Sequence, residues 1–385
     1  MSFASASGEQ RETAAGRLGL EMSVTYGGLG YLLGGLGSCL VLLSRDLGIP
    51  RGALSWLSAG FGVALLLVGA VGQRVLRIEP GRVLRAGCGG LAIGAALLAV
   101  APSVLPAQLG ALLIGLGGAA VVLSAPALLI GPGAEAQLTR VNAVSSLAGV
   151  SAPVLLGALD GAIGRGRLAL IFPVPAMLFL AIYGQAKAVT DTLAVEPAPS
   201  SPPGRIDVAV RCLAVVAAVC PEFAFVVWAA SRIQDAGLGP AGAATAAAAF
   251  PIGMGIGRLF GPRFVSGGRA IATGVSLGVA GTLLVVAPLA PLLVASGVAL
   301  AGLGIAMLYP LTLTRLVQTP GLGLQRGSAL AAMASGAAVL GAPLALDWLA
   351  RGVGLRSAFL AAVPSMLLVA GAQRLGARRA GEARD

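Results

Sequence analysis

The sequence predicts an all-α polytopic membrane protein with twelve transmembrane helices in two pseudo-symmetric six-helix bundles. Only 11% of its 385 residues are charged and 57% are hydrophobic, whereas soluble domains carry about 25% charged residues. Glycine accounts for 58 residues, and small residues let membrane helices pack closely together. The two halves of the chain also resemble each other. Low charge, abundant glycine and internal repetition together give this fold class.

Twelve apolar runs are each long enough to cross a bilayer, which requires about 20 residues. They are predicted over 20–43, 52–73, 83–101, 106–130, 140–160, 168–187, 207–230, 240–262, 270–288, 291–316, 327–349 and 356–374. The longest polar break is "VTDTLAVEPAPSSPPGR" (189–205), whose prolines and serines are typical of a linker. The predicted divisions are a tail (1–19), a first bundle (20–187), a linker (188–206), a second bundle (207–374) and a tail (375–385).

The basic residues predict the orientation of the chain in the membrane. With both termini in the cytoplasm, 19 of the 26 Lys and Arg residues fall on cytoplasmic segments and 7 on the outer ones. Basic residues collect on cytoplasmic loops, so the net charge of +11 orients the protein and does not imply nucleic-acid binding. The expected location is a bacterial inner membrane, with both termini and the linker inside.

The halves repeat at an offset of roughly 187–190 residues. "DLGIPRGA" (46–53) matches "DAGLGPAGA" (235–243), "GLGGAAVVLSAP" (115–126) matches "GLGIAMLYP" (302–310), and "SAPVLLGALD" (151–160) matches "GAPLALD" (341–347). Three matches in the same order at nearly one offset indicate a duplicated six-helix unit. Many transporters are built from such repeats, with a site near the midplane between them.

A glycine-rich stretch, "FPIGMGIGRLFGPRF" (250–264), resembles a dinucleotide-binding turn. It lacks the preceding strand and the following acidic residue that such a turn requires. Gly253, Gly257 and Gly261 instead recur every four residues, so on a helix they form one stripe. The stripe predicts close packing against a neighbouring helix.

With these features the chain resembles the major facilitator superfamily of transporters over nearly its whole length. The signature loop of that family follows the second helix, where "GAVGQRVLRIEPGR" supplies Gly69, Arg74, Gly81 and Arg82, while Gln73 replaces the expected Asp. The second copy of the loop is matched by Gly257, Arg258, Gly261 and Arg263. The resemblance implies that these residues brace the cytoplasmic side and help to hold one conformation.

Two further motifs of the family are partly present. The antiporter motif on helix five contains a Gly-Pro pair. It is matched by "LAGVSAPVLLGA", which retains Pro153 but has Ala152 in place of the glycine. The helix-four motif retains Gly115 and Gly117, while Ala111 stands where an Arg is expected. These departures leave the subfamily open.

Glu222 is the leading candidate for a functional residue, because it is an acid well inside the predicted seventh helix. Ionisable residues at membrane depth are costly and usually functional. A carboxyl group in a low-dielectric site can take up and release a proton near neutral pH. The alternatives are that helix seven starts later, so that Glu222 lies near its end, or that Glu222 forms a structural ion pair with an arginine. The preceding Pro221 predicts a local break in the helix.

The other candidates for a substrate or proton site lie on helices that line the cavity in the resembled family. They are Tyr26, Tyr31, Asn142, Trp228, Met254 and Tyr309, with Ser145 and Ser146 as a mild polar lining. Trp228 and Trp56 can equally be interfacial anchors.

The remaining acids in the predicted helices have structural interpretations. Glu21 is expected in the first turn of helix one, where the helix dipole favours an acid. Asp160 and Asp347 end helices five and eleven at equivalent repeat positions. They are expected to shape turns or to pair with Arg165 and Arg351.

The predicted function is secondary active transport of a small organic, amphipathic or weakly charged molecule, in the form of proton-coupled export. A proton-coupled uptake symporter or an uncoupled facilitator is the alternative. A membrane sensor or a polytopic membrane enzyme is a different class, and the enzyme would need clustered acids that the helices lack. No catalytic residue, metal site or cofactor is expected. The expected partners are the substrate, protons and the lipid bilayer, with a monomeric state.

Overall fold

A computed structural model of the chain describes residues 3–50, 55–75, 79–129, 134–185, 204–264 and 268–382. Within these ranges the side chains at 3–15, 55–56, 72–75, 126–127, 134–136, 138–139, 261–264, 268, 324–325, 373 and 375–382 are not described. The predicted linker over 188–206 therefore lies almost wholly outside the described residues. The described part of the chain is helical and contains no strand.

The first half contains seven α-helices and one 3-10 helix. They are α1 (Phe3–Gly34), α2 (Leu36–Leu47), α3 (Ser55–Val75), α4 (Pro80–Val100), α5 (Val104–Leu128), α6 (Ala134–Ile163), the 3-10 helix Gly166–Ile171 and α7 (Val174–Tyr183).

The second half contains eight α-helices. They are α8 (Arg205–Asp235), α9 (Pro240–Ala246), α10 (Ala249–Phe264), α11 (Gly268–Val286), α12 (Pro291–Ile305), α13 (Leu308–Val317), α14 (Leu324–Ala358) and α15 (Ala362–Glu382), with the 3-10 helix Phe359–Ala361 between the last two.

These elements account for twelve membrane crossings. Among the described residues nine helical stretches are long and apolar enough to span a bilayer, and the bent pair α1–α2 makes a tenth. Leu57–Val71 is a shorter apolar helix. The run 326–372 supplies two crossings, because Gly354 has a positive φ of 80° that breaks its helix. The predicted fold class is confirmed.

Three crossings are broken where the sequence shows no polar interruption. α1 and α2 meet at Gly35 with a bend of 49°, α9 and α10 are separated by residues 247–248, and α12 and α13 by residues 306–307. Pro221, by contrast, lies inside the continuous helix α8. The break predicted at Pro221 was wrong, since a proline can be accommodated where neighbouring helices support the chain.

The start of the first helix also differs from its prediction. α1 begins at Phe3, so it includes most of the segment expected as a tail. Glu21 therefore lies in mid-helix and not in the first turn. Its Oε1 accepts a hydrogen bond from the Gln185 backbone N–H at 3.0 Å.

Glycines set the spacing of helices within each half. On α10, a Cβ at Gly257 would lie 2.6 Å from both the Ala306 Cβ and the Leu303 carbonyl oxygen, and one at Gly253 would collide with the Ala299 carbonyl. The glycine stripe therefore packs on and beside α12, as predicted for these two positions. The side chain position of Gly261 lies outside the described set.

The halves meet along contacts that involve α2, α3 and α6 on one side and α8, α9 and α14 on the other. We call the end of the bundle at which residues 186–203 connect the halves the linker end, and the opposite end the far end. At the far end Ser38 Oγ donates to the Ala244 carbonyl at 2.8 Å. There Gly157 also packs against Ala241, whose oxygen would lie 2.5 Å from an added Cβ. The far end is closed by these contacts, which we call the far-end seal.

Candidate functional site

Glu222 meets an arginine at the boundary between the two halves. Arg258 of α10 places Nη2 3.3 Å from Glu222 Oε1 on α8. The Nη1 of the same arginine donates to Ser146 Oγ of α6, in the other half, at 3.4 Å. One guanidinium therefore contacts both an acid of its own half and a hydroxyl of the opposite half.

This ion pair lies at membrane depth. Glu222 precedes the end of α8 at Asp235 by 13 residues, which corresponds to about 20 Å of helix at 1.5 Å per residue. Its side chain is 17% exposed and that of Arg258 is 35% exposed. Both contacts of Arg258 are long for charge-assisted hydrogen bonds, which measure about 2.7–2.9 Å. The pair is thus accessible and loosely held.

Two tyrosines from opposite halves extend the site. Tyr309 of α13 lies within electrostatic range of Glu222 and Arg258, and Tyr26 of α1 lies within range of Tyr309. The Tyr309 hydroxyl faces Ser335 on α14. Among the described residues, the buried Ser335 Oγ has no partner at hydrogen-bonding geometry. We refer to Tyr26, Ser146, Glu222, Arg258, Tyr309 and Ser335 as the central cluster.

The break between α12 and α13 positions Tyr309. The second helix of this crossing begins at Leu308, so Tyr309 and Pro310 occupy its first turn. A proline is tolerated there because backbone N–H groups of a first turn have no partner within the helix. Irregular backbone at membrane depth occurs where it lines a cavity or is buried in protein. The helix break beside the central cluster is therefore the one at residues 306–307. It is not at Pro221, where α8 is continuous.

Tyr31 and Trp228 lie away from the cluster. The Tyr31 hydroxyl donates to the Ala169 carbonyl at 2.9 Å, within the first half. Trp228 Nε1 donates to the Pro343 carbonyl at 3.2 Å, which joins α8 to α14. Both side chains are buried, so each fastens helices of one half and neither is an interfacial anchor.

Asn142 and Met254 lie one turn from members of the cluster. The Asn142 carbonyl accepts from Ser146 Oγ at 3.0 Å, and the Asn142 side chain is exposed. Met254 precedes Arg258 by four residues on α10 and is buried. These two residues flank the ion pair on different helices.

The motif residues separate into three groups. Gly69 packs on Met333 of α14, with 2.9 Å between an added Cβ and Met333 Cγ, and Pro153 lies inside α6. Arg82 is exposed and pairs with Glu79 at 3.2 Å, three residues away. The side chains of Gln73, Arg74, Gly261 and Arg263 lie outside the described set.

Arg258 was predicted as a residue of a bracing loop, and it instead faces the central cluster from within α10. Of the two roles expected for Asp160, the pair with Arg165 is not the one observed, whereas the turn role is, since Asp160 Oδ1 accepts from the Gly166 N–H at 3.1 Å. Asp160 binds Arg45 through two contacts of 2.5 and 2.7 Å. Asp347 does pair with Arg351, at 2.6 Å. Ser335 was not predicted, since one serine among many small residues gives no signal.

The solved structures most informative for this arrangement are those of transporters. The chain is similar to a bacterial homologue of the human lysosomal transporter Spinster in an inward-facing, unoccupied conformation (13% identity, 96% and 97% of the two chains, TM-score 0.69). It is similar to the nucleoside transporter NupG (9% identity, 92% and 98%, TM-score 0.73). It is also similar to the peptide transporter POT (14% identity, 94% and 95%, TM-score 0.69).

No protein-family model matches the chain, and no curated protein matches it significantly. The structural matches cover over 90% of this chain, and they show that it shares the fold of these transporters. The predicted fold resemblance is confirmed across both halves.

Proposed function

We propose that this protein is a secondary transporter that moves a small organic molecule across the membrane by alternating access. The observation that carries the proposal is the Arg258 bridge, which links Glu222 of one half to Ser146 of the other at membrane depth. Ionisable side chains at that depth mark substrate or ion pathways. In repeat-built transporters the site lies between the repeats, and the contacts of Arg258 with Glu222 and Ser146 lie between the two halves.

Glu222 is the proposed coupling residue. While it is ionised, it offsets the charge of Arg258 and the two remain together. Protonation of Glu222 removes that attraction and leaves a cation in a low-dielectric site, which is costly. Arg258 is then stabilised by water or by substrate, so protonation favours a conformation in which the cluster opens. Proton binding and conformational change are linked in this way.

The proposed substrate is amphipathic or weakly charged. The cluster offers one ion pair, two tyrosines and two serine hydroxyls, and its surroundings are apolar. The similar structures include transporters of peptides and nucleosides by name, and this variety does not narrow the class further. Export is the proposed direction, with uptake symport and facilitated passage as the alternatives.

The proposed orientation puts the linker end in the cytoplasm of a bacterial inner membrane, with the protein monomeric. It rests on the distribution of basic residues, which is 18 to 7 when Arg258, which lies within α10, is left out of the predicted 19. A Ser200→Cys variant, in a background whose native cysteines are replaced by alanine, tests it in intact cells. A membrane-impermeant maleimide should leave Cys at position 200 unlabelled until the cells are opened. Efficient labelling of intact cells would contradict the proposed orientation.

A flux assay tests transport itself. The purified protein in proteoliposomes is offered a panel of amphipathic cations, nucleosides and dipeptides under a pH gradient, with protein-free liposomes as the control. At least one compound should accumulate only where the protein is present. Binding of a compound without any movement would favour a sensor, and its chemical conversion would favour an enzyme, so either result would contradict the proposal.

A further inference from the structure

The first half shows a constant register between two parallel crossings. Gly30 of α1 faces the Ser145 carbonyl of α6, and Gly34 faces Gly149. At the far end Arg45 of α2 binds Asp160 of α6, a sequence separation of 115. The two glycine contacts have the same separation (145 − 30 and 149 − 34). The two crossings therefore run side by side without a change of register.

The second half repeats this register. Trp228 of α8 donates to the Pro343 carbonyl of α14, and the sequence separation is again 115. Four residues further along each helix, one turn towards the far end, are Arg232 and Asp347. They are also the repeat counterparts of Arg45 and Asp160, because both offsets are 187 (232 − 45 and 347 − 160). The second half thus carries the same arginine and aspartate at the same place.

Their bonding nevertheless differs from that of the first pair. Asp160 is 3% exposed in its side chain, is held by two Arg45 nitrogens and accepts from the Gly166 N–H at 3.1 Å. Arg232 instead donates Nε to the Val285 carbonyl at 2.9 Å and Nη2 to the Ala287 carbonyl at 3.2 Å. In the described part of the chain Asp347 pairs with Arg351 on its own helix.

Arg232 therefore binds backbone carbonyls in the second half, as Arg167 does in the first half. Arg167 donates to the carbonyls of Ala101 at 3.0 Å and Leu98 at 3.5 Å, and Leu98 is the counterpart of Val285 (285 − 98 = 187). In the first half one arginine holds the aspartate and another holds these carbonyls. In the second half Arg356 also donates to this carbonyl turn, through the Val286 oxygen. Arg356 therefore stays bound to the carbonyl between the two that Arg232 would leave.

We propose that Arg232 is a two-position conformational residue, which binds the α11 carbonyls when the far end is closed and Asp347 when it opens. In each position the buried guanidinium of Arg232 has hydrogen-bond acceptors, the carbonyls of α11 in one and the Asp347 carboxylate in the other. Exchange between the two positions therefore does not leave Arg232 without a partner. Arg351 is 68% exposed in its side chain, and an exposed partner of this kind holds an aspartate weakly. In the open position the second half acquires the clamp that the first half already has.

The exchange is connected to the far-end seal through α8. The same helix packs its Val226 carbonyl directly against Gly37 of the first half, six residues before Arg232. Drawing the end of α8 towards Asp347 and away from α11 therefore shifts a segment that closes the far end. Arg45 and Asp160 hold the first half rigid meanwhile, so movement is confined to the second half.

Cysteine accessibility at the far-end seal tests this inference on purified protein in nanodiscs, independently of any substrate or orientation. Thr245→Cys, in a background whose four native cysteines are replaced by alanine, reports opening by its rate of maleimide labelling. Asp347→Asn should lower that rate on the order of fivefold or more, a typical size for a conformational coupling. It should change the thermal midpoint little, because in the closed state Asp347 pairs with the exposed Arg351, a kind of pair that contributes little to stability.

Two companion variants separate this role from the alternatives. Arg351→Gln frees Asp347 and should keep or raise the labelling rate; a fall equal to that of Asp347→Asn would show that Asp347 acts only through Arg351 and would overturn the proposal. Exchange of the two charges, Arg232→Asp with Asp347→Arg, should restore labelling relative to Asp347→Asn. An unchanged rate in Asp347→Asn would overturn the proposal without bearing on Glu222 or on transport.

Discussion

Ser146 Oγ accepts a hydrogen bond from Arg258 Nη1 at 3.4 Å, and this contact joins the two halves of the molecule beside Glu222. Arg258 is thus placed to respond to the charge of Glu222 and to the position of the opposite half at once. A change at either contact alters the other, because the same guanidinium makes both.

Loss of the arginine should uncouple the site. In Arg258→Gln the Glu222 carboxyl loses the guanidinium with which it pairs, so protonation of Glu222 no longer releases an ion pair and transport should lose its dependence on a pH gradient. Arg258→Lys keeps the charge and should retain part of that dependence. Initial rates in proteoliposomes, with and without a pH gradient, measure the effect.

Arg82→Gln is the matched control for that prediction. Arg82 is 71% exposed in its side chain and, among the described residues, pairs with the nearby Glu79; such surface pairs contribute about 0–1 kcal/mol. The variant should transport like the unmodified protein. If Arg258→Gln transported as Arg82→Gln does, Arg258 would have no role in coupling.

Substitution of glycines on α10 should be tolerated at Gly255, outside the glycine stripe, and not at Gly257, within it. Gly257→Leu places a side chain where even a Cβ meets Ala306 and Leu303 at 2.6 Å, whereas Gly255 has no atom within 4 Å of an added Cβ. Gly257→Leu should therefore lower the thermal midpoint or the yield of folded protein. Gly255→Leu should raise stability slightly, since leucine favours helix over glycine by roughly 1 kcal/mol. Equal melting of the two variants would show that the stripe does not pack on α12.

The far-end seal should open when its closest approach is blocked. Gly157 of α6 packs directly on Thr245 and on the Ala241 carbonyl of α9, whereas a Cβ added at Gly161, one turn further on, would meet no described atom of another segment within 4 Å. Gly157→Val should therefore favour conformations with a separated far end, and Gly161→Val should not.

Spin labels at Ala162→Cys and Gly239→Cys, both exposed at the far end, measure the separation in each variant. The distance distribution should shift to longer values in Gly157→Val alone. The same distribution in both valine variants would mean that the contact between Gly157 and α9 does not hold the far end closed.

The sequence identified the depth of Glu222 but not its partner. An acid in the middle of an apolar run can be recognised from the sequence alone. Its pairing with Arg258 depends on which faces of α8 and α10 pack against each other, which the sequence does not show. The same limit explains Asp160. Its repeat relation to Asp347 can be read from the sequence, but the parallel register that brings Arg45 to it arises only when α2 and α6 pack.

The helix breaks at residues 247–248 and 306–307 could not be predicted from the sequence, for a different reason. Residues 247–248 and 306–307 are Ala-Ala and Ala-Met, which give no turn signal, so those crossings were predicted as single helices. Pro221 does carry a breaking signal, and α8 nevertheless continues through it. Packing against neighbouring helices outweighs local preference at all three places.

The most direct measurement compares two kinds of transport in one variant, Glu222→Gln, with a compound identified in the proteoliposome panel. Glutamine resembles the protonated acid, so exchange of labelled for unlabelled compound at equal pH should proceed near the unmodified rate. Accumulation of the same compound against its gradient, driven by a pH difference, should be abolished. If Glu222→Gln still concentrated the compound, Glu222 would not couple transport to protons. Loss of exchange as well, in a variant that elutes and melts as the unmodified protein does, would equally contradict the coupling role.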